Sequence, residues 1–236
     1  MRVRSVFMHS VRMVTRKIQG SPVKVTGITP SDVEYESHLE EDFLVLLRFD
    51  HRVEHFERWE DEIVWYDDKG KRRTYTPDFF VRYKAMGAGP SLKPEVIEVK
   101  PDFDENDPRA VARLPRNEDP RENELKWNAA TKECKRKGFR FLVKRESDIR
   151  SPYLTNAKFL MAYLERGRDD ARSDQILAGL KPGVRVSMGD LLAGLGKSAD
   201  DRLTYRPLLY RLIATRRLDA DLTERLTDST MIGLPA

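Results

Sequence analysis

A short apolar run interrupted by two charges, Val96-Ile97-Glu98-Val99-Lys100, constrains this chain more than any other feature. Its β-branched residues predict a strand, and in a strand side chains two apart share a face. Glu98 and Lys100 therefore point one way, and Ile97 and Val99 point to the other, buried side. A charge held in an apolar strand needs a partner or a metal ion. Two further acids sit in comparable settings. In Thr76-Pro77-Asp78-Phe79-Phe80-Val81 an acid begins an apolar strand. Upstream, Leu39, Phe43, Leu46 and Leu47 recur at helical spacing as far as Phe49, and Glu40 lies on that helix. Ser31 or Asp32 is its expected cap.

Strands are predicted at Val53–Phe56, Ile63–Tyr66, Arg72–Thr76, Phe79–Tyr83 and Glu95–Lys100, with Asp67-Asp68-Lys69-Gly70 as a turn. Residues 101–120 carry four prolines and read as a long loop. A helix over Arg121–Lys137 ends at Gly138, and Phe139–Val143 returns as a strand. After Pro152 helices dominate: Asn156–Arg166, Ser173–Leu180, Met188–Leu195 capped by Ser187, and one beginning near Pro207 and running to about Arg217. Leu218–Asp221 and Leu226–Ile232 can pair as a hairpin. The expected fold class is α/β: a restriction-endonuclease-like mixed sheet flanked by helices over residues 31–150, then a small winged-helix-like domain over 151–236. A basic arm, residues 1–30, comes first.

Phosphodiester hydrolysis requires a nucleophilic water and a means of stabilising negative charge. Asp78 and Glu98 can offer carboxylates from two adjacent strands to a hard divalent cation, and Glu40 can complete the set. Lys100 can orient the water or offset phosphate charge. The plainer alternative is a surface salt bridge between Glu98 and a lysine.

Ser37-His38-Leu39-Glu40, Thr76-Pro77-Asp78-Phe79-Phe80-Val81 and Ile97-Glu98-Val99-Lys100-Pro101 together resemble the active-site blocks of the TnsA endonucleases. The likeness continues through Glu124–Asp148 and covers roughly residues 34–150; beyond that it extends only to the general plan of a winged-helix-like C-terminal domain. The resemblance implies that Glu40, Asp78, Glu98 and Lys100 occupy catalytic positions, with Glu40, Asp78 and Glu98 as ligands to Mg2+ (Mn2+ may substitute). The family can carry Gln where this chain has Glu98. The resemblance also implies cleavage of double-stranded DNA at the 5′ ends of a transposon, beside a DDE-type transposase subunit like TnsB and an ATPase regulator like TnsC. Two other readings stay open: a stand-alone phage or restriction-type nuclease, and a non-catalytic DNA-binding or assembly protein.

Charge supports a polyanionic partner. The net charge is only +4, but residues 1–30 hold Arg2, Arg4, Arg12, Arg16, Lys17 and Lys24 without a single acid. Arg12, Arg16, Lys17, Arg109 and Arg113 are the expected DNA contacts. Arg202, Arg206, Arg211, Arg216 and Arg217 gather near the last helix, diluted by Asp200, Asp201, Asp219 and Asp221, a mixture that favours protein docking or mixed use over strong DNA binding there. The lone cysteine, Cys134, excludes an intramolecular disulfide and a cysteine-based zinc site, and fits a reducing, cytoplasmic setting. It is expected to be a packing residue, as are Trp59, Trp65 and Trp127. His38 diverges from Glu40 on a helix and is not expected to be a ligand. No apolar run approaches the ~18–20 residues that span a bilayer.

Overall fold

The computed structural model describes residues 27–28, 33–85, 91–102, 120–164, 169–196 and 198–235. Strands β1 (Gly27–Ile28) and β2 (Glu34–Tyr35) pair antiparallel and lead into helix α1 (His38–Phe49). Ser31 and Asp32, the expected caps, lie outside the described residues. The cap is Ser37, whose hydroxyl accepts from the backbone N–H of Glu40 at 3.2 Å. The helix begins later than those caps imply because Glu34 and Tyr35 are committed to a strand.

Strands β3 (Val53–Arg58), β6 (Phe79–Tyr83), β7 (Glu95–Lys100) and β8 (Arg140–Arg145) form one mixed sheet in the order β3-β6-β7-β8. The first two pairings are antiparallel and β7–β8 is parallel. Strands β4 (Ile63–Tyr66) and β5 (Arg72–Tyr75) form a separate two-stranded ribbon. Helix α2 (Pro120–Arg136) supplies the crossover that a parallel pair requires, packing against β8 and the ribbon. It stops at Gly138, which takes φ 81°, a conformation that glycine adopts without strain.

Alternation of side chains gives the sheet two distinct faces. Phe79, Val81, Ile97 and Val99 pack against Phe43, Leu44 and Leu47 of α1, and Phe79 and Ile97 are essentially inaccessible. Burying such side chains contributes about 1.5–3 kcal/mol each, so apolar packing fixes α1 on this layer. On the opposite face Phe80 packs with Trp59 and Phe139, with ring centroids 6.0 and 5.2 Å away. Trp65 is buried, whereas Trp59 and Trp127 are partly exposed. Cys134 is fully buried.

Helices α3 (Glu146–Ile149) and α4 (Pro152–Leu164) follow β8. Leu154 joins the sheet's core, whereas Ala157 and Leu160 join a second core. That second core is built from α5 (Asp170–Ala178), α6 (Met188–Leu195), α7 (Ala199–Ala214) and a small sheet of β9 (Val186–Ser187), β10 (Asp219–Ala220) and β11 (Met231–Gly233) in the order β10-β11-β9. The expected hairpin is present and gains β9 as a third strand. Pro207 lies inside α7 rather than at its start. A capping box between Ser198 and Asp201 nucleates the helix two turns earlier. The hydrogen bond that Pro207 cannot donate would have gone to Leu203, which is 65% exposed and open to water.

Asn156 pins the connection between β10 and β11. Its amide donates to the carbonyls of Leu222 and Glu224 at 2.9 and 2.7 Å and accepts from the N–H of Leu226 at 3.3 Å. Truncation leaves backbone groups unpaired near a buried position. We expect Asn156→Ala to lose roughly 2–3 kcal/mol in urea denaturation; a loss under ~0.5 kcal/mol would show that water replaces the amide at no cost.

Candidate active site

The register Phe79↔Ile97 fixes the centre of the site. Carried one step further along antiparallel strands, it sets Asp78 opposite Glu98 at the end of the β6–β7 pairing. The backbone N–H of Asp78 donates to the Ile97 carbonyl at 3.0 Å. Its carboxylate Oδ2 accepts from the Val99 N–H at 2.7 Å, so a side chain continues the ladder where the strand begins. Pro77, which cannot donate to a ladder, is what ends the backbone pairing here.

Three carboxylates reach this rim from different directions. Glu98 lies on the face opposite α1, because its neighbours Ile97 and Val99 are the residues that α1 covers. Glu40 comes from the first turn of α1 and is 9% exposed. Its oxygens accept from the Glu36 N–H and the Ser37 hydroxyl, both at 3.1 Å. Asp78 lies between them. Burial, then the charges of Glu98 and Glu40, push its carboxyl well above the ordinary carboxylate range. Burial also raises Glu98, against the opposing effects of Lys100, Tyr75 and Lys126.

Cations compensate this convergence. Lys100 Nζ is 3.2 Å from Glu98 Oε1, and the two side chains are 17% and 6% exposed, so the salt bridge considered from sequence is present but joins a buried carboxylate to a partly buried lysine rather than lying on the surface. The Tyr75 hydroxyl donates to Glu98 Oε2 at 3.0 Å. Arg58, at the end of β3, reaches Glu40 at 3.0 Å, Glu36 at 3.5 Å and Asp78 Oδ1 at 3.7 Å, with its guanidinium 4.9 Å over the Phe79 ring. Sequence reasoning singled out neither Arg58 nor Tyr75. Arg58 lies two residues beyond the predicted strand Val53–Phe56 and Tyr75 within the predicted Arg72–Thr76, and nothing in the local pattern marks either as a site residue.

The structure thus gathers Glu40, Asp78, Glu98 and Lys100 at one rim. Among the described residues, no three His, Cys, Asp or Glu side chains are arranged to hold a metal ion. Glu40 faces Arg58, and Glu98 faces Lys100 and Tyr75. Chemically, carboxylates suit a hard dication, and burial together with the charges of Glu98 and Glu40 already raises Asp78. Such an ion would compete with Arg58 and Lys100 for these oxygens. His38 is exposed and bonds to Glu41, apart from the cluster.

The expected DNA contacts Arg12, Arg16, Lys17, Arg109 and Arg113 lie outside the described residues. The C-terminal arginines are largely engaged within the protein. Arg206 pairs with Asp228, Arg217 lies 2.9 Å from Asp174, and Arg216 stacks 4.9 Å over Phe49 while donating to the Tyr153 hydroxyl.

Two expectations follow from the electrostatics. The folded protein holds the Asp78 proton more tightly than the unfolded chain does, so stability falls as pH rises from the ordinary value of 3.8 through the raised one. Asp78→Asn, which keeps an acceptor for Val99, should melt higher than wild type at pH 8. That advantage should shrink as pH falls toward 4; a pH-independent difference would contradict this account. Arg58→Met should instead cost about 2 kcal/mol at neutral pH, since hydrogen bonds to charged partners are lost, measured by chemical denaturation.

No curated protein matches the chain. No helix among the described residues is long and apolar enough to cross a membrane. Residues 50–146 match the family model described as TnsA-like endonuclease N terminal. That segment carries Asp78, Glu98, Lys100, Arg58 and Tyr75, and begins just after the helix that bears Glu40. Over residues 50–146 the resemblance therefore holds, and that segment is TnsA-like.

Proposed function

We propose that this protein is a metal-dependent DNA endonuclease that cuts the 5′ ends of a transposon as the TnsA-type subunit of a heteromeric transposase. The observation that carries this reading is the meeting of Asp78, Glu98 and Lys100 at one sheet rim beside Glu40, where burial and then the charges of Glu98 and Glu40 raise the Asp78 carboxyl. Four ionisable groups brought together from three elements are costly to a fold and characteristic of a reactive site.

Glu40, Asp78 and Glu98 would hold Mg2+, with Mn2+ able to substitute; the bound ion supplies a hard Lewis acid for phosphoryl oxygens. Lys100 orients the attacking water and offsets charge on the phosphate. Tyr75, through its hydrogen bond, fixes the rotamer of Glu98. Val99 N–H fixes that of Asp78. In the overall reaction water adds to phosphorus, the bond to the leaving oxygen breaks, and that oxygen takes up a proton to balance the one the water gives up, leaving a phosphate monoester and a free hydroxyl.

The chain divides, on this reading, into a basic arm (1–30), a nuclease domain (31–150) and a winged-helix-like domain (151–236) in a cytoplasmic protein. The succession α5-β9-α6-α7-β10-β11, with sheet order β10-β11-β9, supports the winged-helix assignment. Engagement of Arg206, Arg216 and Arg217 within the protein favours protein docking by this domain. A DDE-type subunit like TnsB and an ATPase like TnsC are the expected partners.

The test is strand-specific cleavage of a transposon-end duplex in Mg2+, with and without the cognate DDE transposase. Wild type should cut the 5′ strand. Asp78→Ala and Lys100→Ala should each cut at least ~100-fold more slowly while binding the partner normally. Nicking by Asp78→Ala at the wild-type rate would overturn the assignment, and efficient cutting by the protein alone would favour a stand-alone nuclease.

A further inference from the structure

We propose that the β4–β5 ribbon is a DNA-contacting element that holds duplex DNA across the candidate active site, an inference that rests on the nuclease reading above. Cross-strand partners share a face, and the pairs are Ile63↔Tyr75, Val64↔Thr74, Trp65↔Arg73 and Tyr66↔Arg72. Ile63 and Trp65 are 2% and 5% exposed and form the packed side, against α2. Val64 and Tyr66 are 40% and 59% exposed and share the outer face with Thr74 and Arg72, both also exposed. Large apolar side chains on a solvent-facing ribbon mark a contact surface when basic groups accompany them.

Basic groups do accompany them. Lys69, Lys71 and Arg72 are exposed at and beside the turn. Of the two acids there, Asp67 is consumed internally. It is buried, accepts from the N–H groups of Lys69 and Lys71 at 3.1 and 2.8 Å, and binds Arg73 at 3.0 Å. Asp68 is the remaining acid, so the outer face and tip carry a surplus of positive charge. The acids Glu60 and Glu62 precede β4 at the other end of the ribbon, where Asp61 is paired with Lys137.

The ribbon is stiff and its position is fixed. Gly70, at φ 73°, donates to the Asp67 carbonyl at 2.9 Å and closes the turn. At the base, Tyr75 bonds Glu98 directly. At ~3.4 Å per residue, Lys71 lies about 13 Å along the strand from that anchor. Duplex DNA carries one charge per ~1.7 Å of axis, so DNA lying at Glu98 presents phosphates within reach of the tip. A two-stranded ribbon is also narrow enough to follow a groove.

The experiment compares the full-length protein with a Lys69→Gln/Lys71→Gln/Arg72→Gln variant and with Tyr66→Ala. Duplex binding is followed by fluorescence anisotropy in Ca2+ over a range of salt. The triple variant should bind at least about tenfold more weakly at 0.1 M salt, with a log–log salt slope shallower by about 2.7. Tyr66→Ala should weaken binding with little change in slope. All variants should melt as wild type does, because the altered side chains are exposed. Wild-type affinity and slope in the triple variant, beside a wild type that binds and cuts duplex, would overturn the ribbon assignment and leave the nuclease reading standing. A wild type that neither binds nor cuts duplex would overturn both. Intact DNA binding with loss of the DDE partner would show that the ribbon docks protein and would likewise refute the assignment.

Discussion

The antiparallel pairing of β6 with β7 is the constraint on which the rest depends. Its register buries Phe79 and Ile97 on one face and leaves Asp78 and Glu98 opposed at the strand ends. A slip of one residue would exchange the two sets, placing charges under α1 and aromatic rings at the rim. The hydrophobic core and the polar site are therefore two consequences of a single alignment, and neither can be altered without the other.

That alignment gathers negative charge, and the neighbouring cations show how the fold tolerates it. Lys100 answers Glu98, and Arg58 answers Glu40 and Asp78. Arg58 belongs to β3, whose register with β6 sets it against Phe79. The Phe79 ring under the guanidinium gives it an apolar seat and a favourable quadrupole. Under the proposed function these same cations compete with a divalent ion, so stability of the fold and readiness of the site pull in opposite directions, a conflict expected where ionisable groups are held for chemistry.

Helix α1 links the site to the C-terminal part of the molecule. Its first turn carries Glu40. Asp42, two residues on, is 2.8 Å from Arg150 and also pairs with Lys158, and Phe49 at the helix end enters the second core. The ion pairs to Asp42 hold its carboxyl below the ordinary range against the opposing effect of burial.

Periodicity in the sequence was enough to locate Ile63–Tyr66, Phe79–Tyr83, Glu95–Lys100 and Met188–Leu195 at their observed bounds, because local alternation and capping chemistry act over a few residues. It also made Glu40, Asp78, Glu98 and Lys100 conspicuous, since acids and a lysine among apolar residues are costly unless partnered. Local rules failed where longer-range commitments won: α1 begins at Ser37 because the preceding residues join a strand, and α7 runs through Pro207 because Ser198 and Asp201 nucleate it upstream. By itself, then, the sequence determined which segments are strands and which side chains share a face. Only the tertiary structure decided that Arg58 and Tyr75 stand beside those acids, because each is brought there by a pairing or contact between distant segments that no short-range spacing encodes.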